Sequence, residues 1–251
     1  MARVHCPRCK KHRFWNLSDN RKRCASCRYT FKLKDKRFRK SSKYLNKLIE
    51  YFALGVPAYR LRFIIPLSAS TIERIYRTIR MDIYRYSLQE MKKLSGELEM
   101  DETMFGGKKP GKRGWGALGK QIVFGIYQRN GKVLVFPVPN RSRKTLLYLV
   151  SKHTTPGSLY YTDDWHAYTT LSISGNHVII QKEKGVSKGR NHINGIEGFW
   201  SYAKHWLHPY RGIPKQYFHL YLKEIEFRFN HRKENLIPLI KHIVKSTNIN
   251  N

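Results

Sequence analysis

Between residues 44 and 52 the apolar positions Tyr44, Leu45, Leu48, Ile49 and Phe52 recur at the three-and-four spacing of one helix face, and the pattern stops at Gly55. After Gly55-Val56-Pro57 a short segment, 59–65, leads into Pro66-Leu67-Ser68-Ala69-Ser70-Thr71, where Ser68 or Ser70 suits the N-cap of a further helix. That helix carries Ile72, Ile75, Tyr76 and Ile79 on one face and Glu73, Arg74, Arg77 and Arg80 on the other. Helix, tight turn and a basic helix with a hydroxyl-rich start outline a helix-turn-helix over residues 41–95, with Arg74, Arg77 and Arg80 as candidate DNA contacts in the major groove. A helical hairpin packed on the next domain has the same outline.

From residue 96 to 235 strand and helix patterns alternate. Residues 97–101 read as a strand, and 121–127 and 132–138 as two more, joined by a hairpin turn at Arg129-Asn130-Gly131. A helix is predicted over 142–152, strands over 158–162 and 177–181, and helices over 191–207 and 215–232. Hairpin strands first and alternating elements afterwards imply an α/β domain, a mixed five-stranded sheet flanked by helices. The tail, 236–251, is short, polar and basic, and is expected to be frayed or a minor helix.

The first forty residues follow a different rule. All four cysteines of the chain lie there, as Cys6-Pro7-Arg8-Cys9 and Cys24-Ala25-Ser26-Cys27. Each Cys-x2-Cys turn presents two thiolates to one side of a metal, and a pair of turns completes a tetrahedral zinc site. The alternative, two disulfides, suits a secreted protein, whereas this chain opens Met-Ala-Arg-Val-His-Cys and not on an apolar run. With four thiolates in the shell, His5 and His12 are surface residues and the zinc is structural. Short strands at 13–15 and 29–31 would make residues 1–40 a zinc ribbon.

Charge adds the partner. The formal net charge is +32, from 49 basic and 17 acidic residues. Residues 1–44 hold 16 Lys or Arg against only Asp19 and Asp35. Such density favours a polyanion, since each neutralised phosphate releases condensed counterions. An anionic membrane is the competitor, but tyrosines and histidines interrupt every amphipathic stripe and no run reaches the length of a span. Nucleic acid is the expected partner, with no membrane.

In so basic a chain the acids are informative. Asp101 is placed at the end of the first strand of the large domain, Asp163 directly after the fourth, and Glu197 within the helix starting near Asn191. Neighbouring strands whose ends share a crevice, with a helix across that edge, could bring the three together. Converging carboxylates repel unless cations sit among them, and oxygen ligands of this kind suit Mg2+ or Mn2+. Two such ions would assist an in-line phosphoryl transfer. Taken singly, each acid reads as a solvated surface residue or a helix cap; only the set points to a metal site.

The strings Met100-Asp101-Glu102-Thr103-Met104-Phe105-Gly106-Gly107, Thr162-Asp163-Asp164-Trp165-His166-Ala167-Tyr168 and Asn191-His192-Ile193-Asn194-Gly195-Ile196-Glu197-Gly198-Phe199-Trp200-Ser201-Tyr202-Ala203-Lys204 resemble the DDE transposases of small bacterial insertion sequences, the ISXO-like group. Glu224-Ile225-Glu226-Phe227-Arg228-Phe229-Asn230-His231-Arg232 is similar to that family's E-F-x-F-R-[FY]-N-R-R ending, with Ile225 and His231 as departures. The resemblance implies an RNase H-like catalytic domain behind the zinc ribbon and helix-turn-helix. It implies Asp101, Asp163 and Glu197 as catalytic metal ligands for two Mg2+ or Mn2+ ions. It further implies Lys204, two helical turns beyond Glu197, as a contact to DNA near the cleaved bond. Asp164 stands where the family has Gly and is the alternative to Asp163; Asn194 and His192 are alternatives for the third ligand.

The same likeness predicts a homo-oligomer on paired transposon ends, target DNA as second partner, and a bacterial cytoplasmic, nucleoid-associated location. Lys108, Lys109, Lys112 and Arg113, in the Gly- and Lys-rich stretch 108–120, would contact phosphates. That stretch lacks the spacing of a nucleotide-binding loop, so no ATP dependence is expected. Trp165, Tyr168, Phe199 and Trp200 flank the acids, either stacking on a splayed base or packing the helix on the sheet. The competing functional reading is a non-catalytic zinc-ribbon/helix-turn-helix regulator derived from a transposase.

Overall fold

A computed structural model describes residues 5–17, 21–32, 42–106, 120–163, 175–180, 189, 191–210 and 212–247. The chain divides into two compact units, Met1–Ile79 with Ile237–Asn251, and Arg80–Leu236.

In the first unit, strands β1 (Phe14–Asn16), β2 (Arg21–Cys24) and β3 (Thr30–Lys32) form an antiparallel sheet in that order. The middle strand was not legible as one, because Arg-Lys-Arg-Cys shows no apolar alternation. It is extended because both its edges are paired, Trp15 opposite Arg23 on one side and Lys22 opposite Phe31 on the other. Helix α1 (Leu45–Ala53) buries Leu48, Ile49 and Phe52 as the periodicity requires. A 3-10 turn, Ala58–Phe63, leads to the 21-residue α2 (Ala69–Gln89), whose residues up to Ile79 belong to this unit. Ser68 caps α2: its hydroxyl accepts from the Thr71 N–H at 3.3 Å. Ile72, Ile75, Tyr76 and Ile79 are all buried, and Tyr76 meets Phe52 edge-to-face at 5.0 Å.

The C-terminal tail is a full helix, α6 (Leu236–Ser246), which buries Ile240, Ile243 and Val244. Those residues lie three and four apart, and the Lys241 ammonium sits 2.7 Å from Glu50 of α1.

The second unit holds β4 (Glu97–Phe105), β5 (Gln121–Gln128), β6 (Val133–Val138), α3 (Arg143–His153), β7 (Ser158–Asp163), β8 (Gly175–Ile180), α4 (Asn194–Leu207) and α5 (Lys215–Asn230). The sheet order is β6-β5-β4-β7-β8, antiparallel across β6, β5 and β4 and parallel across β4, β7 and β8. This is the expected mixed five-stranded sheet. Strand β4 does not stop at Asp101, because residues 101–105 continue to pair with β5, Asp101 opposite Gly125 and Phe105 opposite Gln121.

Alternation along these strands builds a core on each face. Leu98, Met100, Phe124, Ile126, Leu134 and Tyr160 pack with Leu146 and Val150 of α3. Val123, Val133, Val135 and Tyr161 pack on the other face with Ile196, Phe199, Trp200, Leu222 and Ile225 of α4 and α5. Both faces of the sheet are therefore covered. Among the described residues no helix is long and apolar enough to cross a membrane.

Two residues of the closing string, Glu226 and Asn230, act in the fold itself. Asn230 accepts from the Val133 N–H at 2.8 Å and donates to the Val133 carbonyl at 2.9 Å, while Glu226 accepts from the Val135 N–H at 2.8 Å. Helix α5 thus supplies side-chain partners to the open edge of β6, which would otherwise template pairing with another chain. Burial pushes the Glu226 carboxyl up, and the Lys223 ammonium, 2.8 Å from both its oxygens, opposes that.

Glu224 lies between two arginines, accepting from Arg80 at 2.6 Å and from Arg228 at 2.9 Å. Arg80 is correspondingly 0% exposed, its guanidinium 3.8 Å from the centre of the Tyr221 ring. This corrects the expectation that Arg80 contacts DNA. Its helix face agrees with Arg74 and Arg77, but at that depth the partner is a carboxylate of the same unit.

Candidate active site and metal centre

The two cysteine turns fold alike. Lys10 N–H reaches the Cys6 carbonyl and Arg28 N–H the Cys24 carbonyl, each at 3.0 Å. Lys10 and Arg28, each following the second cysteine of its pair, take positive φ of 59° and 56°. All four thiols are free, and their sulfurs lie within 4.8 Å of one another. Cys6 meets Cys27 and Cys9 meets Cys24 at 3.5 Å. Zinc–thiolate bonds of about 2.3 Å in a tetrahedron need sulfurs roughly 3.8 Å apart, so this set can hold structural zinc.

The electrostatics of the thiols agree with that use. Backbone N–H donation from Cys27 lowers Cys24 to about 6 against the opposing effect of burial. The Tyr29 N–H lowers Cys27, but burial and the other thiols outweigh it and hold Cys27 up at about 12. Four thiolates in so small a space require a cation among them.

The carboxylates belong to the second unit. Parallel pairing of β4 with β7 sets Glu97 against Leu159 and Glu99 against Tyr161, and the ladder stops there. Carried two residues further, the same register levels Asp101 with Asp163. By alternation both point to the face covered by α4, with Glu99, Val123 and Tyr161 and away from Met100 and Tyr160. Asp101 accepts from the Trp200 indole N–H of α4 at 3.1 Å. Glu197 lies one turn before Trp200, exposed, and Lys204 is exposed two turns beyond Glu197.

The structure thus brings Asp101 and Asp163 onto one sheet face and Glu197 onto the helix that covers it. Among the described residues the cysteines are the set of metal-ligand type whose donor atoms meet within 4.8 Å; the three carboxylates are spaced more widely. Their chemistry nevertheless fits hard divalent cations, since all three offer carboxylate oxygens.

Phe199 and Trp200 resolve toward packing: they are buried, and Trp200 contacts Phe105 at a ring separation of 6.2 Å. Arg74 is exposed and Arg77 half-buried on α2. Lys108, Lys109, Lys112, Arg113, Asp164, Trp165 and Tyr168 lie outside the described residues. His192 and Asn194, the alternative third ligands, sit at the entry to α4, His192 3.7 Å from Glu99.

Gly125 fits this site because nothing larger would. A Cβ there would stand 2.6 Å from the Trp200 ring and 2.8 Å from Ile196. Gly125→Ala is expected to cost about 1–3 kcal/mol by overpacking. It should also shift the emission of Trp200 as the indole moves off Asp101, measured by urea denaturation and fluorescence.

A family model described as an ISXO2-like transposase domain matches residues 93–230, which span every strand and helix from β4 to α5. The chain belongs to the ISXO2-like transposase family. It is similar to a protein of Haemophilus influenzae described as an uncharacterized transposase-like protein, 39% identical over 101 residues that make up 39% of this chain and 82% of the relative.

Three residues of this ISXO2-like family member escaped the sequence reading. Glu99, 1% exposed, accepts from the Ile196 N–H at 3.0 Å, and Arg129 binds both Glu99 and Glu97 at 2.8 Å. The signal was present in the alternation Glu97, Glu99, Asp101, three acids on one strand face in a chain with only 17. Glu102, buried on the opposite face, pairs with Arg141 at 3.1 Å.

Proposed function

We propose that the second unit is an RNase H-like DDE catalytic domain that cleaves one DNA strand at insertion-sequence ends and joins the freed end to target DNA. What supports this reading is the parallel pairing of β4 with β7, whose register, carried on, would level Asp101 with Asp163 on the face that the helix bearing Glu197 covers, in a chain of this family. Asp101, Asp163 and Glu197 would hold two Mg2+ or Mn2+ ions, which supply activation of the attacking oxygen and neutralisation of the leaving one. Trp200 fixes the Asp101 carboxylate through its N–H. Lys204, on the Glu197 face of α4, contacts a phosphate near the scissile bond.

In the first step water attacks phosphorus and the bond to the 3′ oxygen breaks, leaving a 3′-hydroxyl on the element. That hydroxyl then attacks a target phosphodiester, displaces its 3′ oxygen, and forms the new strand joint with no covalent protein intermediate. In this reading the zinc ribbon and the helix-turn-helix bind the terminal inverted repeats, exposed Arg74 and half-buried Arg77 taking part, and Lys108, Lys109, Lys112 and Arg113 follow the backbone. The working form is a homo-oligomer on paired ends in the bacterial nucleoid.

The test uses the full chain and duplexes carrying the element's own ends. Asp101→Asn, Asp163→Asn and Glu197→Gln are each expected to lower Mg2+-dependent strand cleavage roughly a hundred- to thousandfold while leaving end binding within twofold. Variants that still cut like the parent remove these acids from the mechanism. An intact protein that binds its ends and never cuts them favours the regulator.

A further inference from the structure

Arg129 lies in the hairpin turn between β5 and β6, outside every motif that carries the family likeness. Its guanidinium nevertheless reaches three elements. Its Nε and Nη1 donate to Glu99 and Glu97 of β4 at 2.8 Å each, and its Nη2 donates to the His192 carbonyl, just before α4, at 2.6 Å. The guanidinium carbon also lies 3.7 Å from the centre of the Tyr161 ring in β7. Those are the elements that carry Asp101, Glu197 and Asp163.

Glu99 completes the connection. Helix α4 begins at Asn194 with Ile193 as its N-cap, and no side chain of its own caps it. One of its open N–H groups, that of Ile196, is instead satisfied by the Glu99 carboxylate at 3.0 Å. The next residue is Glu197. Gly195 admits this approach, since a Cβ there would stand 2.8 Å from the Glu99 oxygen and collide with Tyr127. The first turn of α4 is thereby set against β4 at the residue beside the third proposed ligand, and the buried carboxylate responsible is itself held by Arg129.

We infer that Glu99 and Arg129 are positioning residues for the proposed metal site, fixing where α4 presents Glu197 relative to Asp101 and Asp163. The inference rests on the triad reading above. Hydrogen-bonded supports of this kind orient metal ligands, and their loss costs about ten- to a hundredfold in metal affinity.

Metal binding reads this without activity. Tb3+ serves as the probe on the full chain, its luminescence excited through Trp200, which bonds Asp101, and its displacement by Mg2+ gives a midpoint. Glu99→Ala and Arg129→Ala are expected to weaken binding about tenfold or more. Glu99→Gln, which keeps an acceptor for the Ile196 N–H, should return to within about threefold of the parent, a rescue that general loss of stability would not produce. Circular dichroism at the assay temperature identifies folded variants; should Glu99→Ala fail to fold, Arg129→Lys, which keeps the charge but loses the fork, is read in its place with the same expected weakening. Folded Glu99 and Arg129 variants that bind Tb3+ like the parent, while Asp101→Asn does not, overturn the positioning role alone. Unchanged binding in Asp101→Asn overturns the metal site itself.

Discussion

Removing metal from the cysteine cluster is expected to unfold the β1–β3 sheet outright. Among the described residues the buried core there consists of Cys6, Cys24 and Phe31, with Cys9, Phe14 and Cys27 packed against it. Ordering each residue costs about 1–2 kcal/mol of backbone entropy, which so few apolar side chains cannot offset. Structural zinc on four thiolates contributes about 10–16 kcal/mol at neutral pH. A strong chelator should therefore release one Zn2+ per chain and abolish amide-exchange protection at 14–16, 21–24 and 30–32. Protection across β4 to β8 should be unchanged, since that unit has its own core. Cys24→Ser should behave as the stripped protein does. Protection of β1–β3 that survives complete loss of zinc would show that the sheet stands without metal.

Glu224→Ala is expected to be the most damaging single change in the second unit. The carboxylate is 0% exposed between Arg80 and Arg228, and Arg80 is itself 0% exposed in its side chain. Truncation leaves buried guanidinium charge uncompensated, at a cost of about 3–5 kcal/mol. At this domain size each kcal/mol lowers the melting temperature by about 2–4 °C, so a fall of about 6–20 °C should appear by calorimetry. Glu224→Gln, which retains acceptors but no charge, should fall in between. A variant that melts within about 2 °C of the parent would mean that the arginines find other partners or water. Pairing Glu224→Ala with Arg80→Leu should recover part of the loss, because the stranded charge is then gone as well.

The contrast between Arg80 and the cysteines shows which parts of this chain are legible in sequence. The Cys-x2-Cys pairs carry their geometry locally, each turn closing within a few residues, and the structure gathers all four sulfurs. The strands of the second unit were equally readable, since alternate side chains along them enter the cores on the two faces of the sheet. Asp101 and Asp163 could be placed on neighbouring strands because the order of strand and helix signals restricts the topology. Arg80 could not be read, because its partner Glu224 lies 144 positions away and a helical face does not reveal its depth. Nor could Arg129, whose partners on β4, before α4 and on β7 come together only once the sheet has formed. Strand β2 failed for the same reason, its extended backbone being imposed by two neighbours and not by its own residues.

Helix α6 has a consequence for how such genes decay. The chain leaves the first unit after Ile79, builds the whole of the second, and returns at Ile237 to place Ile240, Ile243 and Val244 in the interior and Lys241 beside Glu50. A premature stop codon just past residue 236 would spare every acid of the proposed triad and still strip a wall from the unit that carries the cysteines and α1. Under the proposed function, copies shortened in this way should lose binding to their own ends while the second unit, which has its own core, still folds and melts as a unit.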